Sequence, residues 1–203
     1  MTGAHRITIV LLAGGAATRL PGKLSLPVGD EPMLVRVYRR LTAGGRPCIV
    51  SARWPLDDER LASALDAPVV LDEIADAGPL AGMTASAAAA QTPLVFVAAG
   101  DLPGLDATFV DALERAYDVA SDVGAPPDAV IPVWQDGKAE PLASLYDANS
   151  LASAGRAALD AGTRKVMGAL SGLRIVHFRI RPEDEAALVN VNTPADYEAY
   201  RKV

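Results

Sequence analysis

Cysteine and histidine are almost missing from this chain. Cys48 stands alone, so no intramolecular disulfide can form, and within Pro47-Cys48-Ile49-Val50 it reads as an inert core thiol on a buried strand. His5 and His177 are the only histidines, one near an end and one on an alternating stretch, which argues against a histidine metal site or a catalytic triad. No apolar run approaches the ~20 residues that a membrane span needs. Positive charge is not in excess either: the formal net charge is −6, which disfavours a nucleic-acid-binding surface. Walker A spacing and Gly-x-Gly-x-x-Gly are both lacking, so neither a P-loop NTPase nor a nicotinamide enzyme is indicated. His5-Arg6 before an apolar run and small residues imitates an export signal, but cleavage there would remove the first strand of a regular pattern. A cytoplasmic chain with no membrane or nucleic-acid partner is expected.

What is present is a globular composition, with 50% apolar residues over 203 positions, enough for one domain with a substantial core. Ile7–Leu12 is continuously apolar, as a parallel strand covered on both faces should be. A helix is expected over Met33–Leu41, with Arg36, Arg39 and Arg40 as its solvated face, followed by strands at Pro47–Ser51 and Pro68–Asp72. A short polar helix, Asp57–Leu65, separates those two strands, and an alanine-rich helix is expected over Thr84–Ala90. Leu94–Ala99 reads as the fourth strand and Thr108–Ala120 as the helix after it. This alternation implies a parallel sheet with right-handed crossovers. The pattern then changes: Ala129–Trp134 and Glu140–Leu145 are extended around Asp136-Gly137, a hairpin signal. A helix over Asn149–Ala161, a shorter one after Thr163, strands at Leu173–Ile180 and Leu188–Val191, and a helix capped by Thr193 complete the chain. The expected fold is thus a single α/β Rossmann-like domain, with helices on both faces of a mostly parallel sheet and a small β-hairpin in the C-terminal half.

In such sheets the ligand site lies beyond the carboxyl ends of the strands. Four candidates fall there: the loop Leu12-Ala13-Gly14-Gly15 with Arg19 and Lys23, then Ser51, Asp72 and Asp101. Glycines in the loop permit close approach of backbone N–H groups to a ligand, and positive φ is a further reason for them. Arg19 and Lys23 suit charge stabilisation of a polyphosphate, which needs no loss of their protons. Asp101, directly after a strongly apolar strand and before Leu-Pro, suits Mg²⁺ shared with substrate phosphates; a turn or cap carboxylate is the structural alternative. Asp72 either accepts hydrogen bonds from a base or ribose or closes a turn.

The stretches Leu12-Ala13-Gly14-Gly15 with Arg19 and Lys23, Asp72 with Gly78-Pro79-Leu80-Ala81-Gly82, Asp101-Leu102-Pro103, Gly162-Thr163-Arg164-Lys165-Val166 and Val189-Asn190-Val191-Asn192-Thr193-Pro194 occur in this order over nearly the whole chain. In them the sequence resembles the nucleotidyltransferases of molybdenum cofactor synthesis, most closely the guanylyltransferases. The resemblance implies Mg²⁺-dependent transfer of GMP from GTP to the molybdopterin cofactor, with release of pyrophosphate. It implies that Leu12, Ala13, Gly14 and Gly15 border the nucleotide, Lys23 meets its phosphates, Asp72 lies at the nucleotide, Asp101 holds Mg²⁺, and Asn190 and Asn192 face the pterin. Transient protein partners in cofactor delivery are compatible with it. The asparagines have a structural alternative as strand end and helix cap. The sequence departs from the family where Gly22 stands before Lys23 in place of aspartate, and where Ser51 stands in place of asparagine. Cytidylyl transfer, transfer to a sugar or alcohol phosphate, and a non-catalytic nucleotide carrier are the competing readings.

Overall fold

A computed structural model describes residues 5–14, 20–53, 59–71, 74 and 78–201. Its order is β1 (Ile7–Leu12), a 3-10 turn at Lys23–Ser25, β2 (Pro27–Val28), β3 (Glu31–Pro32), α1 (Met33–Leu41), β4 (Cys48–Ala52), α2 (Glu59–Ala64), β5 (Val69–Leu71), α3 (Pro79–Ala89) and β6 (Leu94–Ala99). The remainder is α4 (Ala107–Val123), β7 (Ala129–Val133), β8 (Ala143–Asp147), α5 (Ala148–Asp160), α6 (Val166–Ala169), β9 (Ile175–Arg179), α7 (Pro182–Glu185), a 3-10 turn at Ala186–Leu188 and α8 (Pro194–Tyr200).

The main sheet has seven strands in the order β5-β4-β1-β6-β8-β7-β9. β5, β4, β1 and β6 are parallel, β8 runs antiparallel to both β6 and β7, and β7 is parallel to β9. One reversed strand in a parallel sheet has a consequence for the site: β8 begins at the edge where β1, β4 and β6 end. Alternate side chains divide between two cores, as the pleat requires. Ile7, Ile9 and Leu11 of β1 and Phe96 of β6 join Leu34 and Val37 of α1 and Phe109 and Leu113 of α4 on one face. Val10, Val95 and Val97 join Met83 of α3 and Leu151 of α5 on the other. The helices therefore cover both faces. No helix among the described residues is long and apolar enough to cross a membrane.

Several expected boundaries move for identifiable reasons. α3 starts at Pro79, not Thr84, because Pro79 occupies the first helical position after Gly78, whose φ of 62° is left-handed. The expected hairpin is present within the main sheet as β7 and β8. Its tight end is the bridge between Val133 and Ala139, and β8 proper begins only at Ala143. Pro141 has no N–H to give to a ladder. The expected strand at Leu188–Val191 does not form. Leu188 ends a 3-10 turn, and the Val191 N–H is taken by the Asp101 carbonyl at 3.0 Å. An additional two-stranded antiparallel ribbon, β2 with β3, turns through Gly29 at φ 66°.

Candidate active site

The loop after β1 leaves the sheet with the Ala13 N–H donating to the Ser51 carbonyl at 2.7 Å. Gly14 is not left-handed; its constraint is space, since a Cβ there would lie 3.3 Å from the Arg53 amide nitrogen. Among the described residues of this loop, Gly22 is the left-handed glycine, with φ 67° and ψ 15°, just before the 3-10 turn that carries Lys23. That conformation favours glycine over residues with a side chain at position 22. The turn is tied down by Leu20, buried among Val28, Met33, Val191 and Tyr197.

Asp101 is placed by the end of β6. The Gly100 N–H donates to the Leu12 carbonyl at 3.0 Å, and a Cβ on Gly100 would lie 2.9 Å from that same oxygen. Glycine is what lets the ends of β1 and β6 come together there. The Asp101 carbonyl in turn accepts from Val191, which lays the segment holding Asn190 and Asn192 across the strand ends.

Three chain segments then converge on one ammonium group. Lys23 Nζ donates to Asp101 Oδ2 at 2.5 Å and to Asn192 Oδ1 at 2.8 Å, and the lysine and aspartate side chains are only 16% and 14% exposed. An ammonium has three donors, so one is left for an incoming anion. The group opens into a cleft of about 430 Å³ that is also lined by Leu12, Gly14, Gly100 and Asn190. Asp101 Oδ1 is buried and accepts no hydrogen bond from any described residue. A buried carboxylate oxygen without a partner is costly unless something binds it. No cluster of three or more histidine, cysteine, aspartate or glutamate side chains suited to a metal occurs among the described residues. The single donor that this site offers a hard cation such as Mg²⁺ is the unpartnered Asp101 oxygen, so water and substrate phosphates would have to supply the remaining ligands.

Of the residues singled out from sequence, Leu12, Gly14, Lys23, Asp101, Asn190 and Asn192 line this cleft together. Gly15, Arg19 and Asp72 lie outside the described residues. Ser51 stands apart: it is buried, with its hydroxyl packed against Gly82 of α3 so closely that a Cβ on Gly82 would overlap it. Sequence reasoning missed the opposite wall, Glu140, Pro141 and Leu142, which it assigned to a strand. The Glu140 carboxylate accepts from Trp134 Nε1 at 2.7 Å and from Lys138 Nζ at 2.6 Å, so this wall is braced from behind. Pro141 was the available signal, because a proline inside an apparent central strand argues that the strand starts later.

Residues 9–174 match the MobA-like NTP transferase domain family. The chain is 36% identical over 192 residues to a molybdenum cofactor guanylyltransferase of Burkholderia ambifaria, an alignment covering 92% of this chain and 91% of that one. It is 32% identical over 204 residues to a probable molybdenum cofactor guanylyltransferase of Natronomonas pharaonis, covering 96% of each. Its fold superposes on the crystal structure of molybdopterin-guanine dinucleotide biosynthesis protein A from Archaeoglobus fulgidus with a TM-score of 0.78, at 22% identity over 96% of this chain and 97% of that one. With a family match over residues 9–174 and relatives 32–36% identical over more than nine-tenths of its length, the chain belongs to the MobA-like NTP transferase family of nucleotidyltransferases.

Proposed function

We propose that this protein transfers GMP from GTP to the molybdopterin form of the molybdenum cofactor, giving the guanine dinucleotide cofactor and pyrophosphate. The observation that carries the chemistry is the Lys23 ammonium, held by Asp101 and Asn192 at the strand ends with one donor unused. The choice of base and acceptor rests on relatives named as molybdenum cofactor guanylyltransferases at 32–36% identity. In the proposed reaction a phosphate oxygen of the acceptor attacks the α-phosphorus of GTP, and the bond to the β-phosphate bridging oxygen breaks as pyrophosphate leaves. The Lys23 ammonium stabilises the charge on the transferring phosphoryl group. Asn192 fixes the direction of the ammonium, which lowers the reorganisation needed as charge develops. Asp101 would hold Mg²⁺ through its unpartnered oxygen, and the ion, when bound, supplies charge neutralisation on the phosphates. Asn190 and Asn192, which line the cleft with Glu140, Pro141 and Leu142, would face the pterin.

A four-nucleotide panel with Mg²⁺ and molybdopterin cofactor as acceptor tests this. Pyrophosphate release with GTP alone is the expected result. Release only with CTP would reassign the base, and tight binding without release for any nucleotide would leave a carrier in place of an enzyme.

A further inference from the structure

Glu140 lines the cleft, and only half of its carboxylate is used. Its backbone N–H donates to the Pro132 carbonyl at 2.9 Å, and its carbonyl accepts from the Ala143 N–H at 3.1 Å and from the Ser144 hydroxyl at 2.7 Å. Trp134 Nε1 and Lys138 Nζ both donate to one carboxylate oxygen, Oε1. Those two donors line a separate pocket at the hairpin, together with Asp136 and Glu185, whereas Glu140 lines the cleft. The other oxygen, Oε2, accepts no hydrogen bond from any described residue and is not buried. The side chain as a whole is only 13% exposed, so this oxygen is both fixed and reachable.

A carboxylate accepts and does not donate, so it repels phosphate and attracts N–H groups. For phosphate the cleft already has the Lys23 ammonium. A fixed acceptor among the apolar surfaces of Leu12, Pro79, Pro141 and Leu142 suits the N–H edge of a flat heterocycle instead. Rings with a 2-amino-4-oxopyrimidine half present such an edge, because the amino group and the adjacent ring N–H both donate.

We infer that Glu140 is a specificity-determining residue whose Oε2 accepts from the amino group of a 2-amino-4-oxopyrimidine ring, the half that guanine and pterin share. The inference rests on the proposed reaction for its two candidate rings, the nucleotide base and the acceptor pterin.

Glu140→Gln reverses the polarity of the contact. Trp134 and Lys138 both need an oxygen, so the amide oxygen stays with them and the NH₂ group takes the place of Oε2. Rings that carry an oxo group where the amino group was then become the better partners. Isothermal titration of the full-length protein with Mg²⁺ compares two pairs: GTP against xanthosine triphosphate, and 6-hydroxymethylpterin phosphate against its lumazine counterpart. The wild type is expected to prefer the amino ring of one pair by about tenfold or more, and Glu140→Gln to abolish or reverse that preference. The pair that responds tells whether the base or the acceptor is the ring that Glu140 reads. The Trp134 indole N–H signal in ¹⁵N-edited NMR, told from that of the second tryptophan by its loss in Trp134→Phe, should shift with the preferred ring and much less with its oxo counterpart. Equal binding within both pairs by the wild type overturns the proposal, as does a preference that leaves the Trp134 signal in place or survives Glu140→Gln. These titrations read binding and not turnover, so their failure leaves GMP transfer standing, and a failure of the nucleotide panel leaves them interpretable.

Discussion

Lys23 sits between two acceptors of different character, and they make separable predictions. Asp101 supplies charge and an unpartnered oxygen, whereas Asn192 supplies only direction. Replacing Asp101 by asparagine keeps the volume and one acceptor but removes the carboxylate. Turnover under saturating GTP should fall by about 10²–10³, the scale seen when a preorganised electrostatic group is lost, while the melting temperature stays within a few degrees. Asn192→Ala leaves the ion pair and frees the ammonium to swing. Its kcat should drop about tenfold, the worth of one hydrogen bond to a charged group, with a smaller change in the KM for GTP. Asn192→Asp restores an acceptor and should recover part of the loss. Steady-state kinetics of the three variants separate these roles. Equal losses in all three would mean that Asn192 acts on the acceptor and not on Lys23.

Among the elements, the pairing of α3 with α5 covers one face of the sheet and depends on glycine. A Cβ on Gly155 would overlap Thr84, whose hydroxyl donates to the Leu80 carbonyl at 2.7 Å and so cannot turn away without loss. Gly155→Ala should cost about 1–3 kcal/mol, read as a melting-temperature drop of roughly 2–4 °C per kcal/mol for a domain of this size. In a Thr84→Ala background the same change should cost less, and the difference measures the contact.

The elements that carry this architecture were readable because their apolar periods are strong: β1, β6 and α1 have the expected bounds. The misplaced ones share a cause. Glu140–Leu142 and Leu188–Val191 have strand-like composition, yet neither forms a regular strand: Glu140 and Leu142 each keep a backbone bond, to Pro132 and Ala99, but Pro141 between them lacks a donor, and Val191 gives its N–H to Asp101. Both are cleft walls, where tertiary contacts override local pattern. The strand-end lysine, aspartate and asparagines were legible as chemistry, but the bond from Lys23 to Asn192 joins residues far apart in sequence, which no local rule predicts. The arginines of α1 misled for the same reason: helical position assigns Arg40 to solvent, and the loop after Asp101 claims it.

For the molecule as a whole, Cys48 offers a single internal reporter. It lies in β4, 7% exposed, between β5 and β1, and burial pushes its thiol up to about 12. At pH 8 the native thiol is therefore both covered and protonated, whereas in the unfolded chain its pKa returns to about 8.5 and the thiolate reacts. Alkylation by iodoacetamide should then be slow in native buffer and approach the free-thiol rate in denaturant, so that its native rate reads the opening of the central sheet. Because Cys48 is the only cysteine, the reading needs no assignment. A ligand that binds the folded chain alone suppresses that opening by mass action. GTP with Mg²⁺ at 100 times its dissociation constant should stabilise by about 2.7 kcal/mol and slow labelling about a hundredfold. Lys23→Ala should lose this protection in proportion to its lost affinity. Fast labelling in native buffer would contradict the buried placement of β4, and protection by CTP but not GTP would move the proposed reaction to cytidylyl transfer while leaving the fold and the cleft as described.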